Sequence, residues 1–538
     1  RKHHSLERAT VGPPRRHPLV GSMDAAASNV SHCSRQRMDL MCTVPGIAVD
    51  RLLAVVPRVQ RASRWLAALC MVASSAGCIL AQDLPDPAIE IPREYKAAGS
   101  AVPDAPPPLD WWRGFRSPEL TDLMEEAQKV NLDIAAAVAR FVQADAQARI
   151  AGAALLPTLS ASGPGNVLQE SYSRVSGSSL NGLSTGGRET VNFNTALSAS
   201  YMLDFWGQYR DALRAADEIS IANRFDRDVT ALTTLTAVAT AYFQVLASQD
   251  RIRTAERNIA SATRILDAIK QRFKAGTGTD LDIAQQESVL ANQRAAVPPL
   301  RQTLDQNINA LALLVSRPPE SLHVAGGSMD QIATPRVAPG LPSELLTQRP
   351  DIRRQEAQLA SATANVGSAR AQFFPSIQLT GGGGYQSSAL VSLIQPHAAF
   401  FNLVAAVNQP IFDGGAILGN FELAKAKQDE LLQTYRKTVV SAFSDVDNAL
   451  VSIKQTTDKL RLQREVVAAS RRAFQLSEQQ LRAGTADIVT VLNTQLTLFQ
   501  AEDVLWQAQL ARLLAFVSLY QALGGGWEPK VEKPVNAL

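Results

Sequence analysis

Two runs of 67 residues, Gln208–Lys274 and Ala416–Arg482, contain no proline. The only glycine in either is Gly419, near a start. At 1.5 Å per residue, a continuous helix of this length reaches about 100 Å. A periodic run this long is a coiled-coil or bundle element rather than a globular helix. Ala, Gln, Leu, Arg and Glu dominate both runs, which suits long packed helices. Each run ends at a short turn, Gly276-Thr277 or Gly484-Thr485, and a return helix is expected over 280–314 and 487–523. Val297-Pro298-Pro299 is expected to interrupt the first return helix, because proline lacks the N–H and crowds the preceding turn.

The runs belong to a longer internal repeat. Asn131-Leu-Asp-Ile134 matches Arg349-Pro-Asp-Ile352, and Leu155-Leu-Pro-Thr-Leu159 matches Phe373-Phe-Pro-Ser-Ile377, both 218 residues apart. Asp204-Phe-Trp-Gly207 matches Ile411-Phe-Asp-Gly414, and Lys274-Ala-Gly-Thr277 matches Arg482-Ala-Gly-Thr485, at offsets of 207 and 208. The first copy therefore carries a loop about 11 residues longer, and 176–187 has the Ser, Gly, Asn and Thr content of one. The copies span 118–316 and 342–524, with a Pro- and Gly-rich linker at 317–341. Length alone suggests three or four domains; the repeat reduces them to two copies of one unit.

Each copy reads as helix, strand, strand, long helix, helix, which makes the class mainly α with a small β part. The first helices are expected over 119–154 and 343–372, stopped by Pro157 and Pro375. Residues 191–203 alternate apolar and polar over 13 positions, the mark of a strand with one greasy and one wet face. Thr158–Ser162 and 376–380 alternate more briefly, and 400–409 alternates poorly. Four such strands cannot close a barrel alone, and open edges are not tolerated in lipid. Closure calls for several chains, as in a shared outer-membrane barrel with a wet pore.

The net charge of +3 hides a division. Residues 1–77 hold 11 Lys/Arg and 4 Asp/Glu, and subtracting these from totals of 53 and 50 leaves 42 and 46. The body is thus mildly acidic, with no nucleic-acid signature. It contains no run of 18 apolar residues, which argues against a helical membrane protein. Arg51, Arg58, Arg61 and Arg64 precede nine apolar residues at 65–73, then Ser74-Ser-Ala-Gly77-Cys78, the layout of a secretory signal. Met38 or Met41 is the expected start, with the residues before it upstream of the protein proper. Small residues ahead of Cys78 resemble a lipoprotein cleavage box, with Ser75 where Leu is usual. That resemblance implies diacylglycerol and a fatty acyl chain on Cys78. An extended segment over 78–117 and a tail over 525–538 flank the repeats.

Further motifs are Trp111-Trp112 with Phe115, Pro118-Glu-Leu120, Gln348-Arg-Pro-Asp-Ile-Arg353, Phe373-Phe-Pro-Ser376 and Ala310-Leu-Ala-Leu-Leu-Val-Ser-Arg-Pro-Pro319. With the repeat, they resemble the TolC-like outer-membrane efflux channels, in the lipid-anchored NodT-type branch. The resemblance implies a homotrimer in the outer membrane. Its 12-stranded barrel, four strands per chain, would be continuous with a periplasmic α-barrel. It implies a periplasmic adaptor and an inner-membrane pump, usually of the RND class, as partners, and passive conduction of drugs, toxic compounds or metal ions without catalysis. A type I protein-secretion channel and a periplasmic coiled-coil adaptor are the alternatives. No Ser-His-Asp, Cys-His or HExxH arrangement supports an enzyme, and His323 and His397 are isolated in sequence.

The turns at Gly276, Thr277, Gly484 and Thr485 are expected to form the periplasmic tips where an adaptor docks. Asp487 is the first candidate for an acidic ring that concentrates cations. Asp280 and Asp282 occupy the matching tip, and Arg482 is a candidate tether between helices. An Asp after a turn is equally a common helix N-cap. Gly381-Gly-Gly-Gly384 lacks the Lys of a phosphate loop and is expected to open an extracellular loop or ease barrel curvature. Trp111 and Trp112 read as packing residues. Arg349-Pro350-Asp351 reads as a helix start.

Overall fold

A computed structural model describes residues 83–96, 108–169, 189–335, 337 and 340–525. The first half starts with α1, Pro118–Val130. Ser117 caps it by accepting the Leu120 N–H, and Leu120, Leu123, Met124 and Ala127 form its buried stripe. The chain breaks at Asn131 and resumes as α2, Leu132–Ala153. The expected single helix over 119–154 is therefore two. Asn131 ends one and begins the other, its Oδ1 accepting the N–H groups of Asp133 and Ile134. Then follow strands β1, Thr158–Ser162, β2, Gly165–Gln169, and β3, Glu189–Leu203. Long helix α3, Gln208–Lys274, and return helix α4, Asp280–Leu314, complete the half.

The second half repeats the order with α5, Pro342–Gln348, α6, Pro350–Ala371, strands β4, Ser376–Ser387, and β5, Ala399–Asn408, then α7, Ala416–Arg482, and α8, Ile488–Ala522. The expected helix over 343–372 is split at Arg349, the position matched to Asn131, and α6 starts where Arg349-Pro350-Asp351 reads as a helix start. Arg349 precedes a proline and is held extended, φ −83° and ψ 121°. Long helices of 67 residues and return helices of 35 recur in both halves.

Pro298 and Pro299 do not interrupt α4, contrary to expectation. Both rings lie on its exposed side, so the carbonyls they leave without donors face solvent, while Val297 keeps the buried seam. One 18-residue stretch of α3 is apolar enough to cross a membrane by length and composition. More than half of that stretch is buried, as in a core helix. The core lies where α1, α3 and α8 meet: Trp111 stacks on Tyr520 at 4.8 Å, and Phe115 meets Phe243 edge-on at 5.1 Å. Trp111 and Trp112 are packing residues there. The linker joins this core through Met329, fully buried, whose N–H donates to buried Asp250 at 2.9 Å.

The antiparallel sheet runs β1–β3–β4–β5, with β2 also on β3. β2 is not an added partner but the continuation of β1: Ser162 opposes Ala196, and three residues on Gly165 opposes Phe193. Pro164, without an N–H, interrupts the ladder. β4 runs through Gly381–Gly384, so the expected loop opening there is instead strand interior. A Cβ on Gly384 would collide with the Thr195 carbonyl of β3, so glycine permits this close pairing. β1 and β5 are the outer strands of the sheet.

Candidate functional site: hairpin tips and pore wall

Both hairpins turn with the same chemistry. At the first tip, Gly276 takes φ 75°, and Thr277 returns its N–H and hydroxyl to the Arg272 carbonyl at 3.0 and 3.1 Å. At the second, Gly484 takes φ 73°, and Thr485 does the same to the Gln480 carbonyl at 2.9 and 3.2 Å. The positive φ explains both glycines.

The return helices are capped differently. Thr279 and Asp282 form a reciprocal box: the Thr279 hydroxyl accepts the Asp282 N–H at 3.2 Å, and Asp282 accepts the Thr279 N–H at 2.9 Å. Asp280 begins α4, in its first turn. Asp487 is itself the N-cap of α8, accepting the Thr490 N–H at 2.9 Å and the Thr490 hydroxyl. These two donors hold its exposed carboxyl below the usual carboxylate range. Arg482 pairs with Glu478 of its own helix at 2.7 Å, not with a neighbouring helix.

The tips are adjacent. A cleft of about 200 Å³ between them is lined by Arg272, Asp282, Leu481, Asp487 and Ile488. Arg272 reaches across to the Leu481 carbonyl at the end of α7, at 3.5 Å. Sequence reading missed Arg272; a basic residue in the last turn of α3 was its one signal. Beneath the cleft, Ile265, Ile269, Phe474, Leu481, Val491 and Leu498 form an apolar seam.

The strand register separates two faces, since directly opposed residues share a side. One face stacks Leu159, Ala199, Gly381 and Leu403 across the four strands, with Leu197, Phe401 and Val407 beside them. Several are bare: Phe401 is 89% exposed and Leu403 83%. The opposite face carries Ser160, Ser198, Ser200, Gln378, Thr380 and Asn402, tied across strands by Ser160–Ser198 at 2.9 Å and Gln378 to Ser200 at 3.0 Å. The poorly alternating 400–409 segment thus joins an otherwise clean two-faced sheet. At its base, Trp206 stacks on Phe374 at 4.7 Å and donates its indole N–H to the Pro375 carbonyl at 2.9 Å, fixing β3 and α3 to the start of β4.

Cys78, the 176–187 loop and the end of the chain beyond 525 lie outside the described residues. Asp83 and Leu84 line a cleft with Asp211, Arg214 and Gly367. The Pro87 carbonyl accepts from Arg436 at 2.7 Å, and Tyr95 is buried, which pushes its phenol upward. Among the described residues no group of three or more His, Cys, Asp or Glu is placed to hold a metal.

A two-faced sheet at the base of long paired helices is the geometry of a membrane channel. The profile of the outer membrane efflux protein family matches residues 123–317 and 341–525. The chain belongs to that family. It is an outer-membrane efflux protein, and membership sets aside the alternative of a periplasmic adaptor. It is 39% identical over 443 residues to the pyoverdine export outer membrane protein OpmQ of Pseudomonas aeruginosa, covering 82% of this chain and 93% of that one. It is 29% identical over 465 residues to the cation efflux system protein CusC of Escherichia coli, covering 85% and 98%. Among solved structures, the outer-membrane channel OprN matches with a TM-score of 0.77 at 26% identity, over 84% of this chain and all but 1% of that one.

Proposed function

We propose that three copies of this chain form the passive outer-membrane duct of a tripartite efflux system. An inner-membrane pump, of RND class, would drive it through a periplasmic adaptor. One observation carries the reading: the sheet has one apolar face and one wet face, and among the described residues no strand lies beyond β1 or β5. In lipid such edges demand partners. The β3–β4 pair joins the two halves, so β5 joining β1 of the next copy repeats that joint and closes a 12-stranded barrel. The recurring helix lengths support an internal duplication, and the same logic continues the barrel into an α-barrel.

Asp487 from three copies forms the acidic constriction, flanked by Asp280 and Asp282. Gly276, Thr277, Gly484 and Thr485 present the tips to the adaptor. Cys78 carries the lipid anchor: five residues span at most about 18 Å, and Asp83 lies beside Asp211, in the first turn of α3 below the sheet. The names of the relatives, which speak of pyoverdine, cations and antibiotics, support small-molecule cargo over secreted proteins. Purified in detergent and placed in a planar bilayer, the protein is expected to run as a trimer and conduct ions. A soluble monomer without conductance would overturn the reading.

A further inference from the structure

Gly419 lies in the first turn of α7, where a glycine still weakens the helix relative to alanine. Its backbone is an ordinary helical one, and a Cβ there would meet nothing within 4 Å. Nothing among the described residues of the chain accounts for it. The repeat does. α7 residues lie 208 after their α3 counterparts, and α6 residues 218 after their α2 counterparts, as the element starts show.

Within the chain, α3 packs along α6, and the joint contains a size match: Asp211 of α3 rests on Gly367 of α6. A Cβ on Gly367 would collide with the Asp211 carboxylate and stand 3.7 Å from the Asp211 Cβ. Transferred to the faces that have no such partner within the chain, α7 and α2, Asp211 becomes Gly419 and Gly367 becomes Arg149. Large and small exchange sides, and the fit is kept. In the same groove Arg214 becomes Glu422, so the two faces also oppose a cation to a carboxylate. Arg149 is 74% exposed and pairs with Asp145 of its own helix at 3.3 Å. Apolar side chains flank it on both faces, Val142 and Ile150 on α2 and Leu418 and Leu423 on α7, each more than half exposed.

We infer that α2 of one copy docks on α7 of a second copy, with Arg149 lying over Gly419 and pairing with Glu422. The inference rests on the trimeric reading and adds which residues meet. The occupant is a second copy because the two faces complement each other by the transformation that already joins the halves.

The test uses the full-length protein purified from outer membranes. With Arg149→Cys and Gly419→Cys combined, the expected Cβ separation of 3.7 Å suits a disulfide. Mild oxidation should give covalent dimers and trimers on non-reducing gels, absent from either single variant. A protein that is trimeric in detergent but does not cross-link overturns this joint and leaves the trimer standing. A monomer overturns the trimer itself. In a second measurement, Gly419→Leu, which the chain alone accommodates, should lower the temperature of trimer dissociation. Combining Gly419→Leu with Arg149→Ala, which opens the facing position, should recover part of that loss. If the combination recovers nothing, the exchange of sizes is wrong.

Discussion

At the end of the first return helix, Asn131 donates its side-chain amide to the last carbonyl of α4, Leu314, at 2.7 Å. At the matching place in the second half, Arg349 donates to the last carbonyl of α8, Ala522, at 3.1 Å. The geometric job is the same: the break between two short helices clamps the return helix. The chemistry differs. Asn131 is neutral and spends its oxygen on the α2 N-terminus. Arg349 is a cation that grips Asp351 with two hydrogen bonds, 2.9 and 2.7 Å, and reaches Asp445 of α7 at 3.2 Å. The second half is thus tied to its long helix by charge where the first is tied by an amide, and only the second should respond to pH.

The largest effect should come from Arg349→Ala. The side chain is only 11% exposed, and its loss leaves two carboxylates and a helix-end carbonyl without their donor. Breaking a buried pair costs about 3–5 kcal/mol; with Asp351 and Asp445 partly in water, about 3 kcal/mol is expected. Chemical denaturation read by tryptophan fluorescence measures it. Asn131→Ala removes a cap and a cross-helix hydrogen bond and should cost less, about 1–2 kcal/mol. If the two costs are equal, the charges add nothing to the clamp.

Neither clamp was legible in the sequence, although the helix start at Arg349-Pro350-Asp351 was. Helical periodicity continues across 119–154; the Asn131 oxygen caps α2 locally, and its amide is held by a partner 183 residues away, the Leu314 carbonyl. The same limit hid the length of β4. Four glycines read as a loop opening or an easing of curvature until the Thr195 carbonyl of β3 shows why no side chain fits at Gly384. Arg272 too acts on a residue 209 positions away. By contrast, the 67-residue helices and the two-faced strand β3 were plain, because period and the lack of proline are local properties. Asp487 was recognised as a tip residue, and the capping role set beside its gating role is the one the single chain displays.

A smaller effect should follow acidification. Burial opposes the charge on Asp351, but the hydrogen bonds and charge of Arg349 and the Ile352 N–H outweigh it, so its carboxyl sits below the usual range. A group with a depressed folded pKa contributes stability that is present above its unfolded value, about 3.9, and is lost as pH falls through the folded one. Amide protection at the end of α8 should therefore drop below about pH 4, while the end of α4, held by Asn131, keeps its protection. Hydrogen exchange at two pH values separates the ends, and equal loss at both would remove the contrast.

The tips repeat the comparison at smaller energy and larger functional consequence. The α4 cap is the hydroxyl of Thr279; the α8 cap is the carboxylate of Asp487. Asn caps a helix about as well as Asp, so Asp487→Asn should change stability by no more than a few tenths of a kcal/mol. It removes one charge per chain, and three around a shared axis in the proposed trimer. A ring of carboxylates raises the local cation concentration, most strongly where the pore is narrow. The cation-to-anion permeability ratio, read from the reversal potential across a salt gradient, should therefore fall in Asp487→Asn. Thr279→Ser, an equally mild change at the other tip, should leave it untouched. A ratio unmoved by Asp487→Asn would leave this residue as a cap alone and shift the selectivity to Asp280 and Asp282.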